Sequence, residues 1–239
     1  MLVRIGSRGS RLALTQAEQA AEALRRPGIE IAFVPITTAG DRDRTRPFGE
    51  IGARGVFVKE IEEALLGGRI DVAVHSIAFA PKADLQGGLL NSSAEGFSVA
   101  MDISCHSFIR MARLAAPLMD EGGSLFAMSY LGATRVVPNY DLMGPVKAAL
   151  EASCRYLAHE LGPKRIRVHP ISPGPLKTRA ASGLKDFDLL LAEAAERAPI
   201  GELVDIMDVG YTCAFLATPY ARRVTGNTVF VDGGVSIIG

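Results

Sequence analysis

Two kinds of hydrophobic pattern alternate along the chain. Short apolar runs, typical of buried strands, occupy residues 2–5, 29–38, 70–76, 124–129, 165–171 and 228–231. Between them, apolar residues recur at every third or fourth position, most clearly over residues 94–119 and in the segment after Pro138. Strands that alternate with helices in this way predict a parallel sheet covered by helices on both faces. The fold class that we predict is a single doubly wound α/β domain of three layers.

Composition limits the cellular environment and the classes of binding partner that we expect for the protein. The 239 residues carry 26 lysines and arginines against 26 aspartates and glutamates, so no net field favours nucleic acid or a membrane surface. No apolar run reaches the length of a membrane span, and the N-terminus lacks the layout of a signal peptide. Cys105, Cys154 and Cys213 lie at apolar positions without metal-ligand spacing, which predicts buried free thiols and no metal site. We therefore expect a cytoplasmic protein that binds neither nucleic acid nor membrane.

Tyr140 and Lys147 are the strongest candidates for chemistry. They lie seven positions apart in the helical pattern of residues 138–161, which predicts that both side chains project from one helical face. The charge of a nearby lysine favours the phenolate, so we expect a lowered pKa for the tyrosine and a role as proton donor. The spacing alone is weak, because a core tyrosine and a solvated lysine would show the same pattern.

Further motifs occur with this pair in a fixed order. They are the Ala127–Tyr140 segment, the Ile171–Thr178 segment and Val231-Asp-Gly-Gly234. Residues 74–239 thereby resemble the short-chain dehydrogenase/reductases, and most closely their enoyl-acyl-carrier-protein reductase branch. The resemblance implies that Tyr140 hydrogen-bonds the thioester carbonyl and stabilises an enolate, and that Lys147 holds the nicotinamide ribose hydroxyls.

The same resemblance implies further site residues. Tyr130 would border the acyl pocket, although a core aromatic residue is an alternative at that position. The nicotinamide end of the cofactor site would be shaped by Ile171, Pro173, Gly174 and Thr178. The middle of the cofactor would be bordered by Ser76, Ile77 and Ala78.

Residues 2–76 resemble a different family, the porphobilinogen deaminases. The similar segments are Ile5–Leu14, Val34–Asp41, Gly55–Leu65 and Gly68–Ser76. Phe79 stands where the deaminase's catalytic carboxylate would be, and a phenyl ring can neither stabilise a cationic pyrrole nor move a proton. We therefore expect a recombined, engineered chimera, with a deaminase-like unit at 1–76 and a reductase-like unit at 77–239. The two units together imply one hybrid domain over 1–239, with a Rossmann-like or flavodoxin-like sheet in the strand order 2-1-3-4-5-6.

The glycine turn after the first apolar run bears on cofactor binding. Gly6-x-x-Gly9 matches neither a dinucleotide-binding fingerprint nor a P-loop. We therefore expect no cofactor, or only weak NADH binding, and a protein without native catalytic activity. Two alternatives stay open: a residual NADH-dependent enoyl-thioester reductase, and an anion site at the Gly6–Ser10 turn that uses Arg8, Ser10 and Arg11.

Two long helical patterns suggest self-association. The patterns over 94–119 and 138–161 are apolar on more than one face, which an isolated domain would expose to water. In the reductase resemblance these helices form dimers and tetramers, so we expect a homo-oligomer. The sequence leaves open whether segments 39–54 and 179–200 are ordered.

Overall fold

The computed structural model describes residues 2–8, 30–36, 70–85, 87–176 and 187–238, together with Glu18, Ala21, Glu22, Arg25 and Pro27. The strands are β1 (Leu2–Arg8), β2 (Glu30–Ile36), β3 (Val72–His75), β4 (Gly123–Met128), β5 (Ile166–Pro173) and β6 (Val229–Val231). The α-helices are α1 (Lys82–Leu85), α2 (Ala94–Met101), α3 (Ser107–Ala115), α4 (Met143–Leu161), α5 (Phe187–Arg197) and α6 (Ile206–Ala217). Segment 39–54 and residues 179–186 lie outside the described residues, so their order is not addressed, whereas residues 187–200 are described and contain α5.

All described strand pairs are parallel, as the alternating pattern predicts. β1 pairs with β2, and β3, β4, β5 and β6 pair in that order. β1 also lies against β3, which agrees with the predicted order 2-1-3-4-5-6. Hydrogen-bonded pairing nevertheless gives a two-stranded and a four-stranded sheet among the described residues, rather than one continuous ladder. The Rossmann-like α/β fold class is confirmed, and a single domain over 1–239 stays a prediction.

Helices cover both faces of the four-stranded sheet, and the alternation of side chains in β4 shows why. Successive strand residues point to opposite faces. Leu125 and Ala127 face a core built with α2, α3 and α4, whereas Phe126 faces a second core built with α6. A strand that is buried on both sides reads as a continuous apolar run, which is the pattern of residues 124–129.

An arginine from the sheet secures the end of a helix. The last carbonyls of an α-helix lack partners within the helix. The guanidinium of Arg167, on β5, donates to the carbonyls of Leu216 and Ala217 at the end of α6, and to that of Ala221 beyond it. This contact ties the α6 layer to the sheet.

Several predicted boundaries were wrong. β1 continues through Arg8, because its parallel register with β2 extends to the Arg8–Ile36 pair, so Gly6 and Ser7 lie in a strand rather than in a turn. The predicted helix over 94–119 is interrupted at Asp102–His106 by a π-helical turn. The helix predicted from Pro138 begins only at Met143. The thiols of Cys105, Cys154 and Cys213 are free, as predicted.

Two buried histidines should make the fold sensitive to acid. His75 and His169 are almost completely buried, and desolvation lowers their pKa from 6.5 to about 3 and about 4, respectively. Between these values and pH 6.5 the unfolded chain binds more protons than the folded chain, so stability falls as pH falls. We expect the free energy of unfolding to drop by about 2 kcal/mol for each ring between pH 7 and pH 5.

Urea unfolding at the two pH values measures this loss. His169→Phe, which keeps the stacking on Phe126 at 5.2 Å, should lose less stability than the wild type, whereas the exposed His159→Phe control should behave like the wild type. An equal loss in His169→Phe and the wild type would contradict the assignment.

Candidate active site

The carboxyl ends of neighbouring strands surround an open cavity of about 550 Å³. Tyr130 follows β4, and Pro173 and Gly174 close β5. In parallel α/β sheets, ligands bind at the carboxyl ends of the strands. The other lining residues are Leu131, Arg135, Val136, Val137, Pro138, Pro175, Glu193, Ala194, Arg197, Asp232 and Val235. The cavity is therefore the candidate active site.

Tyr140 lies in the turn before α4, not on the helix. Asn139 and Asp141, on either side of it, have φ angles of 62° and 36°, which a right-handed helix cannot contain. The helix therefore begins at Met143, whose N–H donates to the Tyr140 carbonyl at 2.9 Å. The predicted placement of Tyr140 and Lys147 on one helical face is wrong.

The side chain of Tyr140 packs against the core built with α2, α3 and α4. Its ring meets the ring of Tyr130 edge to face, with 4.9 Å between the ring centroids. The ring also contacts Gly132, where any side chain would collide with it. Tyr130 thus lines the cavity, and its ring also packs against Tyr140.

Burial controls the protonation of both tyrosines. Desolvation raises the pKa of Tyr130 to about 12. It raises the pKa of Tyr140 as well, with a smaller contribution in the same direction from Tyr130. The prediction that Lys147 lowers the pKa of Tyr140 is therefore wrong, because desolvation outweighs any attraction for the phenolate. Both hydroxyls keep their protons at neutral pH and can act as hydrogen-bond donors.

Lys147 lies on the buried face of α4, and its ammonium reaches the end of β4. Its Nζ donates to the carbonyl of Met128 at 2.7 Å, two residues before Tyr130. Burial lowers the pKa of Lys147 to about 8. The side chain is thus largely protonated at neutral pH, although the folded state opposes its charge.

Glu151 is a buried carboxylate that the sequence analysis missed. One of its oxygens accepts from the Ser129 hydroxyl at 2.5 Å, and the other accepts from the Thr228 hydroxyl at 2.9 Å. The contacts tie the end of β4 to the segment that enters β6, close to Tyr130. The available signal was its position one helical turn after Lys147, on a face that is otherwise apolar.

The remaining predicted site residues fall into three groups. Ser76, Ile77 and Ala78 follow β3 and belong to no helix or strand; Ser76 and Ala78 are exposed, and none of the three lines the cavity. Pro173 and Gly174 line the cavity, but the side chain of Ile171 is packed in the second core and does not line it. Thr178, Ser10 and Arg11 lie outside the described residues. Gly9, near the end of the Gly6–Ser10 turn, also lies outside the described residues, whereas Arg8 is the last residue of β1. The structure therefore does not address the predicted anion site.

The described residues contain neither a membrane-spanning helix nor a metal-binding cluster. No described helix is long and apolar enough to cross a membrane. No group of three or more histidines, cysteines, aspartates and glutamates within the described part of the chain is arranged to hold a metal ion.

The fold and the position of the cavity define a Rossmann-like α/β protein with a ligand site at the carboxyl ends of its strands. A sequence profile described as enoyl-(acyl carrier protein) reductase matches residues 16–236. The chain belongs to this family, as the reductase resemblance of residues 74–239 predicted.

Individual relatives and solved structures agree with the family. The NADH-dependent enoyl-acyl-carrier-protein reductases FabI of Salmonella typhimurium and Escherichia coli are 42% and 41% identical to this chain, over 91% of it and 87% of each relative. The crystal structure of the Aquifex aeolicus reductase is 36% identical, with a TM-score of 0.80 over 99% of this chain and 98% of its own. The Anaplasma phagocytophilum reductase, solved in complex with NAD, is 34% identical, with a TM-score of 0.83 over 99% and 95%.

These matches correct the functional prediction. An inactive recombined chimera is contradicted, because the similarity to functional reductases extends over nearly the whole chain and the family profile begins within the segment assigned to a deaminase. The comparisons give no support to the porphobilinogen deaminase resemblance or to engineering. The expectation of no cofactor is not supported either, because the relatives are named for NADH and one was solved with NAD. The comparisons favour the alternative prediction, an NADH-dependent enoyl-thioester reductase.

Proposed function

We propose that this protein is an NADH-dependent enoyl-acyl-carrier-protein reductase that reduces the double bond of an enoyl thioester. The observation that carries the proposal is the similarity to reductases of that name over 91% of the chain. Tyr130, which lines the open cavity, and Tyr140, whose ring packs against Tyr130, are both protonated and are consistent with it. A cytoplasmic location stays a prediction.

The described residues fit a nicotinamide cofactor. Ser76 and Ala78, which follow β3, are exposed to a ligand from solvent, and Pro173 and Gly174 line the cavity at the end of β5. The buried ammonium of Lys147 offers a donor that ribose hydroxyls can accept from. When bound, the nicotinamide supplies the hydride for the reduction. Thr178, which lies outside the described residues, stays a predicted contact.

Tyr140 would stabilise the charge that develops on the substrate. When the β-carbon of an enoyl thioester is reduced, negative charge accumulates on the thioester oxygen. The hydroxyl of Tyr140 stays protonated because burial raises its pKa, so it can donate a hydrogen bond to that oxygen. A donor already placed where charge develops lowers the barrier without further rearrangement.

The cavity would receive the acyl thioester. Its wall beside Tyr130 is apolar, formed by Leu131, Val136, Val137 and Pro138, and suits an acyl chain. Arg135, Glu193 and Arg197 also line it. Tyr130 would border the acyl chain while its ring packs against Tyr140.

A steady-state assay with an enoyl thioester tests the proposal. We expect oxidation of NADH that depends on both enzyme and thioester, that saturates with each, and that is faster with NADH than with NADPH. A Staphylococcus aureus relative that is 41% identical over 93% of this chain is named for NADPH, so both reductants should be compared. No turnover with either reductant would contradict the proposal.

We also propose that the protein is a homo-oligomer that associates through segments 94–119 and 138–161. Phe97 on α2 and Tyr156 on α4 are exposed aromatic side chains on these helices, and 73% of Tyr156 is accessible. Light scattering should give a mass of two or more chains, and Tyr156→Glu should shift it towards the monomer. Tyr220→Glu, at an exposed position outside these helices, is the control. A monomeric wild type at high concentration would contradict this proposal.

A further inference from the structure

The π-helical turn Asp102–His106, between α2 and α3, changes the hydrogen bonding of Ser107. In an α-helix the N–H of Ser107 would donate to the carbonyl of Ile103. Here it donates to the carbonyl of Asp102, five residues back. The Ser107 hydroxyl instead donates to the Ile103 carbonyl at 2.6 Å. The wider turn therefore uses the only hydrogen of the Ser107 hydroxyl.

This arrangement fixes the proton on His75, the last residue of β3. The Ser107 oxygen lies 2.7 Å from Nε2 of His75. Because its own hydrogen is used on Ile103, it must accept a hydrogen bond from the Nε2–H group. The ring is thus the Nε2–H tautomer, and Nδ1 is buried without a hydrogen-bond partner among the described residues. One end of the segment after β3 is held in this way.

Ser104, which lies within the π-helical turn, holds the other end of that segment. The hydroxyl of Ser104, which is completely buried, accepts from the N–H of Phe79 at 2.9 Å and donates to its carbonyl at 3.0 Å. Ser107 therefore binds the side chain of His75, just before Ser76–Ala78, and Ser104 binds the backbone of Phe79, just after it. Those three residues belong to no helix or strand. Besides the pairing of His75 with Ala127 in the sheet, the two serine contacts restrain the residues on either side of them.

We propose that Ser104, Ser107 and His75 are positioning residues, which hold Ser76–Ala78 in the backbone conformation that receives the nicotinamide cofactor. The inference rests on the proposed function, since it assigns a role in cofactor binding. None of the three residues lines the cavity, so they act through the segment that they hold. A segment ordered before binding loses less conformational entropy when the ligand arrives. π-helical turns within α-helices are frequently found at functional sites.

Ser104→Ala and Ser107→Ala test the inference separately. Each substitution removes hydrogen bonds between neutral groups, so we expect Kd and KM for NADH to rise about 2- to 10-fold. We expect kcat to change by less than about twofold, because Tyr140 and Lys147 are untouched. NADH binding is followed by nicotinamide fluorescence, and hydrogen exchange measured by mass spectrometry should show faster exchange in the peptide that contains Ser76–Phe79.

Thr212→Ala is the matched control. The Thr212 hydroxyl donates to the carbonyl of Asp208, four residues back on α6, and so resembles Ser107 without contacting β3. It should leave NADH affinity and exchange at Ser76–Phe79 unchanged. Thermal unfolding of all variants shows whether a variant has simply lost its fold.

The outcomes separate the inference from the proposed function. Variants that bind NADH as tightly as the wild type would overturn the inference, and so would a loss confined to kcat. A wild type that binds no NADH and reduces no thioester would overturn the proposed function, whatever the variants do. Unchanged exchange at Ser76–Phe79 in both serine variants would also contradict the positioning role.

Discussion

Tyr140→Phe should lower kcat for enoyl-thioester reduction by about 100- to 1,000-fold, which is the usual loss when one donor to a developing oxyanion is removed. The substitution deletes a hydroxyl and keeps the ring that meets Tyr130 at 4.9 Å. The affinity for NADH and the fold should therefore change little. Steady-state kinetics and a fluorescence titration of NADH measure the two effects separately.

Tyr156→Phe is the matched control for this experiment, since Tyr156 lies on α4 with an exposed side chain away from the cavity. It should have the kcat of the wild type. If Tyr140→Phe retained more than about a third of the wild-type kcat, Tyr140 would not be the donor. Another group would then have to donate the hydrogen bond to the thioester oxygen, and Tyr130, which packs against Tyr140, is the first candidate.

Lys147→Met should weaken NADH binding by about 10- to 150-fold, the range expected for loss of a charged hydrogen-bond donor. Stability should stay equal or rise. The pKa of Lys147 is about 8 in the folded protein and 10.5 in the unfolded chain, so its charge costs folding free energy at neutral pH. Methionine has a similar length and no charge, and it removes that cost.

The pH dependence of NADH binding gives a second check on Lys147. Wild-type affinity should fall as pH rises through about 8, where the buried ammonium loses its proton. The Lys147→Met variant should lack this change. Lys164→Met, at an exposed position beyond α4, should bind NADH like the wild type at every pH. Unaltered NADH affinity in Lys147→Met would show that the lysine does not contact the cofactor.

The fold could be predicted well because its signals are local. Buried parallel strands such as β4 are continuous apolar runs, and helices such as α4 show a repeated apolar face, so each element could be recognised from its own residues. The strand order was also predicted. The break in hydrogen bonding between β1 and β3 could not be, because apolar runs do not reveal which strand edges meet closely enough to pair.

The site was predicted less well because its geometry depends on contacts between distant residues. The Tyr140 and Lys147 pair was found by spacing, but positive φ angles at Asn139 and Asp141 remove Tyr140 from the helix. The pKa direction was wrong because desolvation depends on what covers the ring, which spacing cannot show. The bonds of Glu151 to Ser129 and Thr228 join residues 22 and 77 positions apart.

The functional prediction failed for a related reason. Similarity of the first segment to a second family, and the lack of a standard glycine fingerprint at Gly6–Gly9, predict a loss of cofactor binding. Phosphate-binding turns work through backbone N–H groups, which many sequences can present. The absence of one motif was therefore weaker evidence than the family similarity over residues 16–236.

A single-turnover reaction with NADH deuterated at the transferred position of the nicotinamide tests the central claim most directly. Enzyme in excess over an enoyl thioester should convert it to the saturated thioester, with one deuterium at the β-carbon by mass spectrometry. Tyr140→Phe should form the same labelled product, only more slowly. Unchanged enoyl thioester after prolonged incubation of the wild type, or a saturated product without deuterium, would contradict the account.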